Sequence, residues 1–350
     1  MRVCRAISGN YLQRMAEPQA PFHQDYLAYQ KRQISRTELI ERLPHVAMIG
    51  DSLSRNVHVS SPMRMAWRAY TAWPNGWFLN TEPDRTRIYS LFQRLDELTP
   101  LVATEYGGIG AMLGGAADRL GLFRKILRTR NFSGQIDRIL SSHRFPDLIL
   151  IWIGHNNVDW AHWCPKEKLS NPDAHLEIQR DYFRHSYQRQ LERLVARTRK
   201  GTKRVGIVIY GLADFDSFFE ARDRASALRQ NDPKLYPRLG ADVRYFVSMK
   251  PAYRKHLIQL VAMVNDELCQ MAKELQAELE HNGIRHVQLR YSDALTKVDL
   301  SRVEIIHPVD AWHLSMEGHN AFAEAAFRSL APVLEFLGLM PSAAVPIATR

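Results

Sequence analysis

The sequence has little cysteine: Cys4, Cys164 and Cys269 are the only three among 350 residues, and they are far apart. They form no CxxC pair and no metal-ligand spacing with histidine, so the sequence predicts neither a disulfide framework nor a metal site. It also lacks any run of eighteen apolar residues, so no segment predicts a transmembrane helix. No secretory signal is visible at the start, and we expect a cytoplasmic protein; a secreted or periplasmic one stays open if a signal was removed.

The charge is weighted towards one sign, with 47 Lys and Arg against 37 Asp and Glu and a net charge of +10. A basic surface favours anionic partners such as phospholipid head groups or acidic glycans, although ordinary solubility explains it equally well. The basic residues are spread along the chain and do not alternate with aromatic residues, so we expect no nucleic-acid partner. The 45% of hydrophobic residues predicts a globular protein with a large core.

Short apolar runs alternate with helical patterns, which predicts βαβ units and an α/β fold with a central, mostly parallel, five-stranded sheet. The runs cover 45–49, 101–104, 147–153, 204–211 and 286–290. The clearest helical patterns cover 116–128, 134–142, 176–199, 251–281 and 316–336. We interpret 1–43 as an N-terminal arm with a short helix near 35–43, 44–340 as the main domain and 341–350 as a tail. Insertions near 53–100 and 212–250 are long enough to wall a pocket.

The first apolar run, HVAMI, ends abruptly at Gly50-Asp51-Ser52. Ser52 is therefore predicted at the carboxyl end of a parallel strand, where open α/β sheets place their ligand chemistry. A serine in that position is either a nucleophile or the cap of the next helix. We expect the Asp51 side chain to turn away from its neighbour and to stabilise the turn.

Three further segments carry residue types that would assist a nucleophilic serine. After the third strand, Asn156 offers an uncharged amide donor for a developing oxyanion. After the second strand, the glycines of EYGGIG (105–110) let a backbone N–H approach a substrate closely. Asp310 and His313 are three apart, so the carboxylate can hold one imidazole nitrogen while the other faces a serine. Each segment alone fits a turn, a loop or a cap, but together, at one predicted sheet edge, they favour a catalytic site.

In this order the segments resemble the four signature blocks of the SGNH, or GDSL, hydrolase superfamily. The blocks are Gly50-Asp51-Ser52-Leu53, Gly110 within YGGIG, Gly154-His155-Asn156, and Asp310-Ala311-Trp312-His313. Gly107 and Gly108 are the alternatives to Gly110. Two positions depart from the pattern: Asn157 stands where many members have Asp, and Glu105 where the glycine block often starts with Asn.

The resemblance implies the flavodoxin-like, three-layer α/β/α fold of that superfamily and hydrolysis of carboxylic esters without a metal or organic cofactor. It implies that Ser52 is the nucleophile, His313 its general base and Asp310 the acid that orients the imidazole. It also implies an oxyanion hole made of the Ser52 and Gly110 backbone N–H groups and the Asn156 side chain.

The substrate is suggested by a patchier resemblance. GDSLSRNVHVSSP, IYGLADFDSFFE and IIHPVDAWH are similar to the catalytic subunit of the acyloxyacyl hydrolase family, which implies an acyl ester of the phospholipid or lipid A type, at an anionic membrane surface. The candidate substrate-binding residues are Trp67, Trp73, Trp77 and His155; the aromatic cluster fits an acyl pocket, a sugar platform or core packing. A carbohydrate O-acetylesterase, an O-acyltransferase with the same triad and an inactive binding module remain alternatives. The sequence indicates no oligomeric state.

Overall fold

Six strands form one sheet in the structure, a computed structural model that describes residues 4–20, 22–55, 76–80, 87–108, 110–114, 131–162, 171–199, 201–235, 251–308 and 311–340. The strands are β1 (Cys4–Ile7), β2 (His45–Gly50), β3 (Val102–Glu105), β4 (Leu148–Trp152), β5 (Val205–Tyr210) and β6 (Val287–Ser292). Their order across the sheet is β1-β3-β2-β4-β5-β6. Strands β2 to β6 pair in parallel, which confirms the predicted mostly parallel sheet.

The predicted strand number of five was wrong because it left out β1. This strand lies in the segment interpreted as an N-terminal arm and pairs antiparallel with β3 at the edge of the sheet. Arg5 and Ile7 are exposed and Ala6 is half-buried, so the strand carries no apolar run to mark it. Just after it, the Ser8 hydroxyl donates to the Leu101 carbonyl and holds the edge strand in place.

The described residues include eleven α-helices. They are α1 (Tyr11–Ala16), α2 (His23–Gln30), α3 (Arg36–Arg42), α4 (Leu91–Leu98), α5 (Phe132–Leu140), α6 (His155–His162), α7 (Pro172–Thr198), α8 (Phe215–Asn231), α9 (Pro251–His281), α10 (Met316–Ser329) and α11 (Ala331–Leu337). The pattern predicted at 316–336 as one helix is two, because Pro332 lacks an N–H and begins a new helix after Leu330. The helix predicted at 116–128 and the tail at 341–350 lie outside the described residues.

The central strands are covered on both faces, giving a three-layer α/β/α architecture. Helices α5 and α9 pack with α7 in one group, whereas α10 packs with α4 and α11 in another. All residues of β2, β4 and β5 are buried, which is why their sequences are continuous apolar runs rather than alternating ones. Among the described residues, no helix is long and apolar enough to cross a membrane.

Candidate active site

The end of β2 is held by a side chain from another helix. Gln135 on α5 accepts a hydrogen bond from the Gly50 N–H (2.9 Å) and donates one to the Gly50 carbonyl (2.8 Å). The Gly108 N–H donates to the same carbonyl over 3.1 Å. Gln135 is fully buried, so this two-point contact is shielded from water. It fixes the strand end from which Ser52 projects, two residues later.

Asp51 stabilises the turn, as the sequence predicted. Its Oδ1 accepts the Leu53 N–H over 3.0 Å, and its Oδ2 lies 2.9 Å from Nδ1 of His155. The other ring nitrogen of His155, Nε2, accepts the Ala213 N–H over 3.2 Å. Asp51 and His155 are buried, with 0% and 1% of their surface exposed. The Asp51 carboxylate is therefore committed to the turn and to His155, so it is not the group that orients a catalytic imidazole.

Ser52 lies inside a tight turn whose next residues are also buried. The Ser52 carbonyl accepts the Arg55 N–H over 3.1 Å. Arg55 Nε lies 3.6 Å from Oε1 of Glu105, at the end of β3, and both side chains are buried. Burial raises the pKa of Glu105 to about 7, against the opposing attraction of Arg55. The buried pair thus occupies the start of the glycine block, where the family pattern often has Asn.

The glycine loop after β3 contacts Asn156 directly. Gly110 has a positive φ of 68°, and a Cβ built on it would meet no atom of the described residues within 4 Å. The next residue, Ala111, is anchored by its N–H to the Gly108 carbonyl (3.0 Å), and its own carbonyl accepts from Asn156 Nδ2 (2.8 Å). Two of the predicted oxyanion-hole segments therefore lie side by side.

The turn after β4 aims two adjacent asparagines at that loop. It requires a glycine, because Gly154 has a φ of 128° and an added Cβ would lie 2.9 Å from Phe183 Cε1. Asn157 accepts the Leu113 N–H over 2.9 Å and donates to the Tyr182 hydroxyl over 3.4 Å. The Tyr182 hydroxyl donates its own hydrogen to the Gly114 carbonyl, so an ionised aspartate, which has no donor, could not make the second contact. The departure from the family pattern at this position therefore has a local reason.

A second side-chain amide holds the end of β5. Asn265 on α9 accepts the Leu212 N–H over 2.7 Å and donates to the Leu212 carbonyl over 3.1 Å. Asp214 then caps α8 by accepting from the backbone N–H groups of its first turn, at 3.0 and 3.2 Å. Helix α8 therefore starts from a fixed point at the same sheet edge as Ser52.

His313 lies in a closed loop between β6 and α10. An antiparallel bridge joins Ile306 to Leu314 at the base of the loop, and the His307 N–H donates to the His313 carbonyl over 2.7 Å. The Ala311 N–H donates back to the His307 carbonyl over 2.9 Å. These backbone contacts define the path of the chain around His313, although Asp310 lies outside the described residues.

Helix α8 contacts this loop through a hydrogen bond and through ring packing. The buried Arg222 guanidinium donates from Nη1 to the Ala311 carbonyl over 3.0 Å. The Trp312 ring packs edge-on against Phe215 and Phe218 in the first turns of α8, with ring centroids 5.8 and 4.9 Å apart. Since α8 follows β5, the loop with His313 lies at the carboxyl edge of the sheet.

A second histidine lies close to this loop but cannot serve as its base. His319 on α10 is buried, and its Nδ1 accepts the Trp77 N–H over 3.1 Å. Burial, together with the nearby His307 and His313, lowers the pKa of His319 to about 3. The side chain is therefore neutral at physiological pH and acts as a hydrogen-bond acceptor that fixes Trp77.

Trp77 was a candidate substrate-binding residue, and the structure places it in the core. It has 0% of its surface exposed and packs edge-on against Trp152 (5.6 Å between centroids) and Tyr210 (6.2 Å). His155, the other described candidate, is buried against Asp51 and offers no surface to a substrate. The candidates Trp67 and Trp73 lie outside the described residues.

The structure brings Ser52, Gly110 and Asn156 to one edge of the sheet through directly hydrogen-bonded neighbours, and it places the loop of His313 at that edge. The triad stays a prediction because it includes Asp310. Among the described residues, no group of three or more His, Cys, Asp or Glu side chains could hold a metal ion. Sequence reasoning missed Gln135, Asn265 and Arg222, which hold the site from outside its motifs.

Comparison with known proteins identifies the chain's relatives. The GDSL-like Lipase/Acylhydrolase family matches residues 46–326, a range that includes every predicted catalytic residue. No curated protein matches the chain. Among solved structures it is similar to the lipase Lip_vut3 from a goat rumen metagenome, at 13% identity over 82% of this chain and 96% of that one, with a TM-score of 0.44. It is also similar to phospholipase A1 from Streptomyces albidoflavus NA297, at 12% identity over 82% and 98%, with a TM-score of 0.39. None of these comparisons shows the similarity to acyloxyacyl hydrolase.

Proposed function

Because the chain belongs to the GDSL-like lipase/acylhydrolase family, we propose that it is a serine hydrolase that cleaves carboxylic esters through an acyl-enzyme intermediate. The observation that supports this most directly is the arrangement around Ser52. The turn that carries it, the Gly110 loop and Asn156 are joined by hydrogen bonds at the carboxyl edge of the sheet. A nucleophile beside two oxyanion donors is the minimal apparatus for acyl transfer.

In the proposed reaction, Ser52 Oγ attacks the ester carbonyl while His313 takes the hydroxyl proton and Asp310 stabilises the resulting imidazolium. The imidazolium then protonates the leaving alkoxide, which departs as the alcohol and leaves an ester on Ser52. A water molecule, deprotonated by His313, attacks that ester and releases the carboxylic acid. The proton returns to Ser52, so the enzyme is regenerated without a metal or organic cofactor.

The oxyanion hole uses the side-chain amide of Asn156 and the backbone N–H groups of Ser52 and Gly110. One hydrogen of Asn156 Nδ2 is donated to the Ala111 carbonyl, which fixes the orientation of the amide. The second hydrogen on the same nitrogen is the one that donates to the developing oxyanion. A donor that is already oriented pays no reorganisation cost in the transition state.

We propose an acyl lipid as the substrate, bound from an anionic membrane surface. The net charge of +10 supports this, because a basic protein concentrates at anionic head groups. Trp77 does not contribute to the argument, since it is a core residue.

The activity is tested with the pair Ser52→Ala and Ser54→Ala. The two serines are two residues apart, and the Ser54 hydroxyl is buried without a hydrogen-bond partner among the described residues. Ser52→Ala should lower kcat by at least about 10³-fold and abolish labelling by a fluorophosphonate probe, whereas Ser54→Ala should keep both. Equal turnover by Ser52→Ala and the wild type would refute the mechanism.

The substrate is tested on a panel of p-nitrophenyl esters from acetate to palmitate, alongside anionic phospholipid vesicles and acetylated xylan. An acyl-lipid hydrolase should prefer the long esters and release fatty acid from the vesicles. Preference for acetate together with deacetylation of xylan would assign the chain to the carbohydrate O-acetylesterases instead. Acyl transfer to an added alcohol in place of hydrolysis would identify an acyltransferase.

A further inference from the structure

His155 joins the two halves of the candidate site, and we propose that it is a positioning residue for the reaction. The inference rests on the proposed function and adds a residue to which the triad and oxyanion hole assign no role. His155 connects the carboxyl ends of three strands: it follows β4, bonds Asp51 after β2, and bonds the Ala213 N–H after β5. No other described side chain at this edge bonds to both of those turns.

The donor and acceptor roles in these hydrogen bonds fix which ring nitrogen of His155 carries the hydrogen. A backbone N–H can only donate, so the contact from Ala213 makes Nε2 an acceptor. The ring proton is then on Nδ1, where it is donated to Asp51 Oδ2. A second proton on Nε2 would point at the Ala213 N–H. The two contacts thus assign the tautomer of His155 and aim its Nδ1–H at Asp51, one residue before Ser52.

The hydrogen bond to Ala213 links His155 to the part of the site that contains His313. Ala213 immediately precedes Asp214, the cap of α8, and α8 grips the loop that contains His313 through Arg222 and Trp312. A continuous path therefore runs from the turn of Ser52 through His155 to the helix that holds the base. Shifting either end of the path changes the distance between nucleophile and base.

The ring of His155 is also held by a core residue, Trp152. Trp152 contacts it edge-on, with ring centroids 4.6 Å apart, and the Trp152 Nε1–H donates to the Gly211 carbonyl over 2.9 Å. His155 directly precedes Asn156, so the same ring sets the start of the helix that presents the oxyanion donor. Displacing it moves two catalytic groups together.

The role is tested with variants that remove all or half of the bridge. His155→Leu removes both hydrogen bonds, whereas His155→Asn places an amide Nδ2 near the position of Nδ1 and keeps the contact with Asp51. Asp51→Asn breaks the bridge from the other side, because an amide offers one acceptor oxygen to two donors, the Leu53 N–H and His155. The matched control is His45→Leu, a second buried histidine, which bonds Thr104 at the opposite edge of the sheet.

Each variant is measured as folded protein, below its melting transition, by fluorophosphonate labelling of Ser52 and by kcat and KM across pH. A displacement of about 1 Å can cost about 10²-fold, so His155→Leu and Asp51→Asn should label 10- to 100-fold more slowly, with KM unchanged. His155→Asn should recover part of the loss, and His45→Leu should melt earlier but label at the wild-type rate. The acidic limb of the pH profile, which is the loss of activity as a general base becomes protonated, should persist in all of them because His313 is unchanged.

Two outcomes overturn the inference. Labelling of His155→Leu at the rate of His45→Leu would make the bridge structural only. Loss of the acidic limb in His155→Asn would make His155 a proton carrier and not a positioning residue. If His155→Leu does not fold, His155→Asn and Asp51→Asn decide the question. A wild-type protein that is not labelled at Ser52 would overturn the proposed function itself, which separates that failure from this one.

Discussion

Gly50→Ala is the substitution that most directly tests how tightly the nucleophile turn is packed. A Cβ at this position would overlap Ser54 Oγ and lie 2.6 Å from Ser54 Cβ and 3.2 Å from the Trp152 carbonyl. Carbon atoms in contact are normally about 3.5–4.0 Å apart, so Ser54 must move by roughly 1 Å. Because Ser52 is only two residues from Ser54 in the same turn, the shift reaches the nucleophile.

Two magnitudes follow from that displacement. Overpacking of a filled site typically costs about 1–3 kcal/mol, which is the expected loss in the free energy of unfolding. A misplacement of about 1 Å in a reacting group can cost about 10²-fold in rate, so fluorophosphonate labelling should slow by up to that factor. Gly9→Ala is the control, since a Cβ there would meet nothing within 4 Å and should leave both quantities unchanged.

The double variant Gly50→Ala/Ser54→Gly identifies the cause. It deletes the Cβ and hydroxyl that the new methyl group would overlap, leaving only the contact with the Trp152 carbonyl. Labelling should therefore recover most of its rate, and the free energy of unfolding part of its value, as measured by urea titration. A Gly50→Ala variant with wild-type stability and labelling, or a double variant no better than the single one, would refute the packing argument.

Two further predictions concern neighbouring groups. Asn156→Ala should lower kcat by about 10²–10³-fold with KM little changed, because the amide acts on the transition state; a rise in KM alone would make Asn156 a substrate-binding residue. Glu105→Gln should change the pH dependence of unfolding. The pKa of Glu105 is raised from 4.5 to about 7, so the folded state binds this proton more tightly than the unfolded state does. The wild type therefore loses stability as pH rises from 4.5 to about 7. The variant should lack this loss, on the order of 3 kcal/mol, and parallel unfolding curves of the two proteins from pH 4.5 to 7 would contradict the assignment.

Strands β2, β4 and β5 could be predicted because burial on both faces makes their sequences unbroken apolar runs. Four-residue β1 could not, because an edge strand with exposed side chains carries no such signal. The break between α10 and α11 was visible only as Pro332, which a pattern of apolar spacing does not register. A helix break caused by a proline is missed when helices are predicted from the periodicity of apolar residues alone.

The motif residues of the candidate site were visible in the sequence for a different reason from the residues that hold them. Ser52 and Asn156 lie two and four residues after the ends of their strands, so their place at the sheet edge depends on local signals. Gln135 contacts a residue 85 positions away and Arg222 one 89 positions away, and only the tertiary fold brings them there. For the same reason the sequence offers His155 as one candidate substrate contact, since nothing near it in sequence reveals the Ala213 N–H that donates to its Nε2.

The amide contacts at the ends of β2 and β5 have a consequence for how the protein can vary. In each, a helix side chain supplies the donor and acceptor that a neighbouring strand would otherwise supply, to Gly50 at the end of β2 and to Leu212 just after β5. The frame of the site is then anchored by helices α5 and α9 as well as by the sheet itself. Loops elsewhere at this edge can therefore lengthen, shorten or change composition, and so adapt the protein to new esters, while the sheet edge keeps its shape.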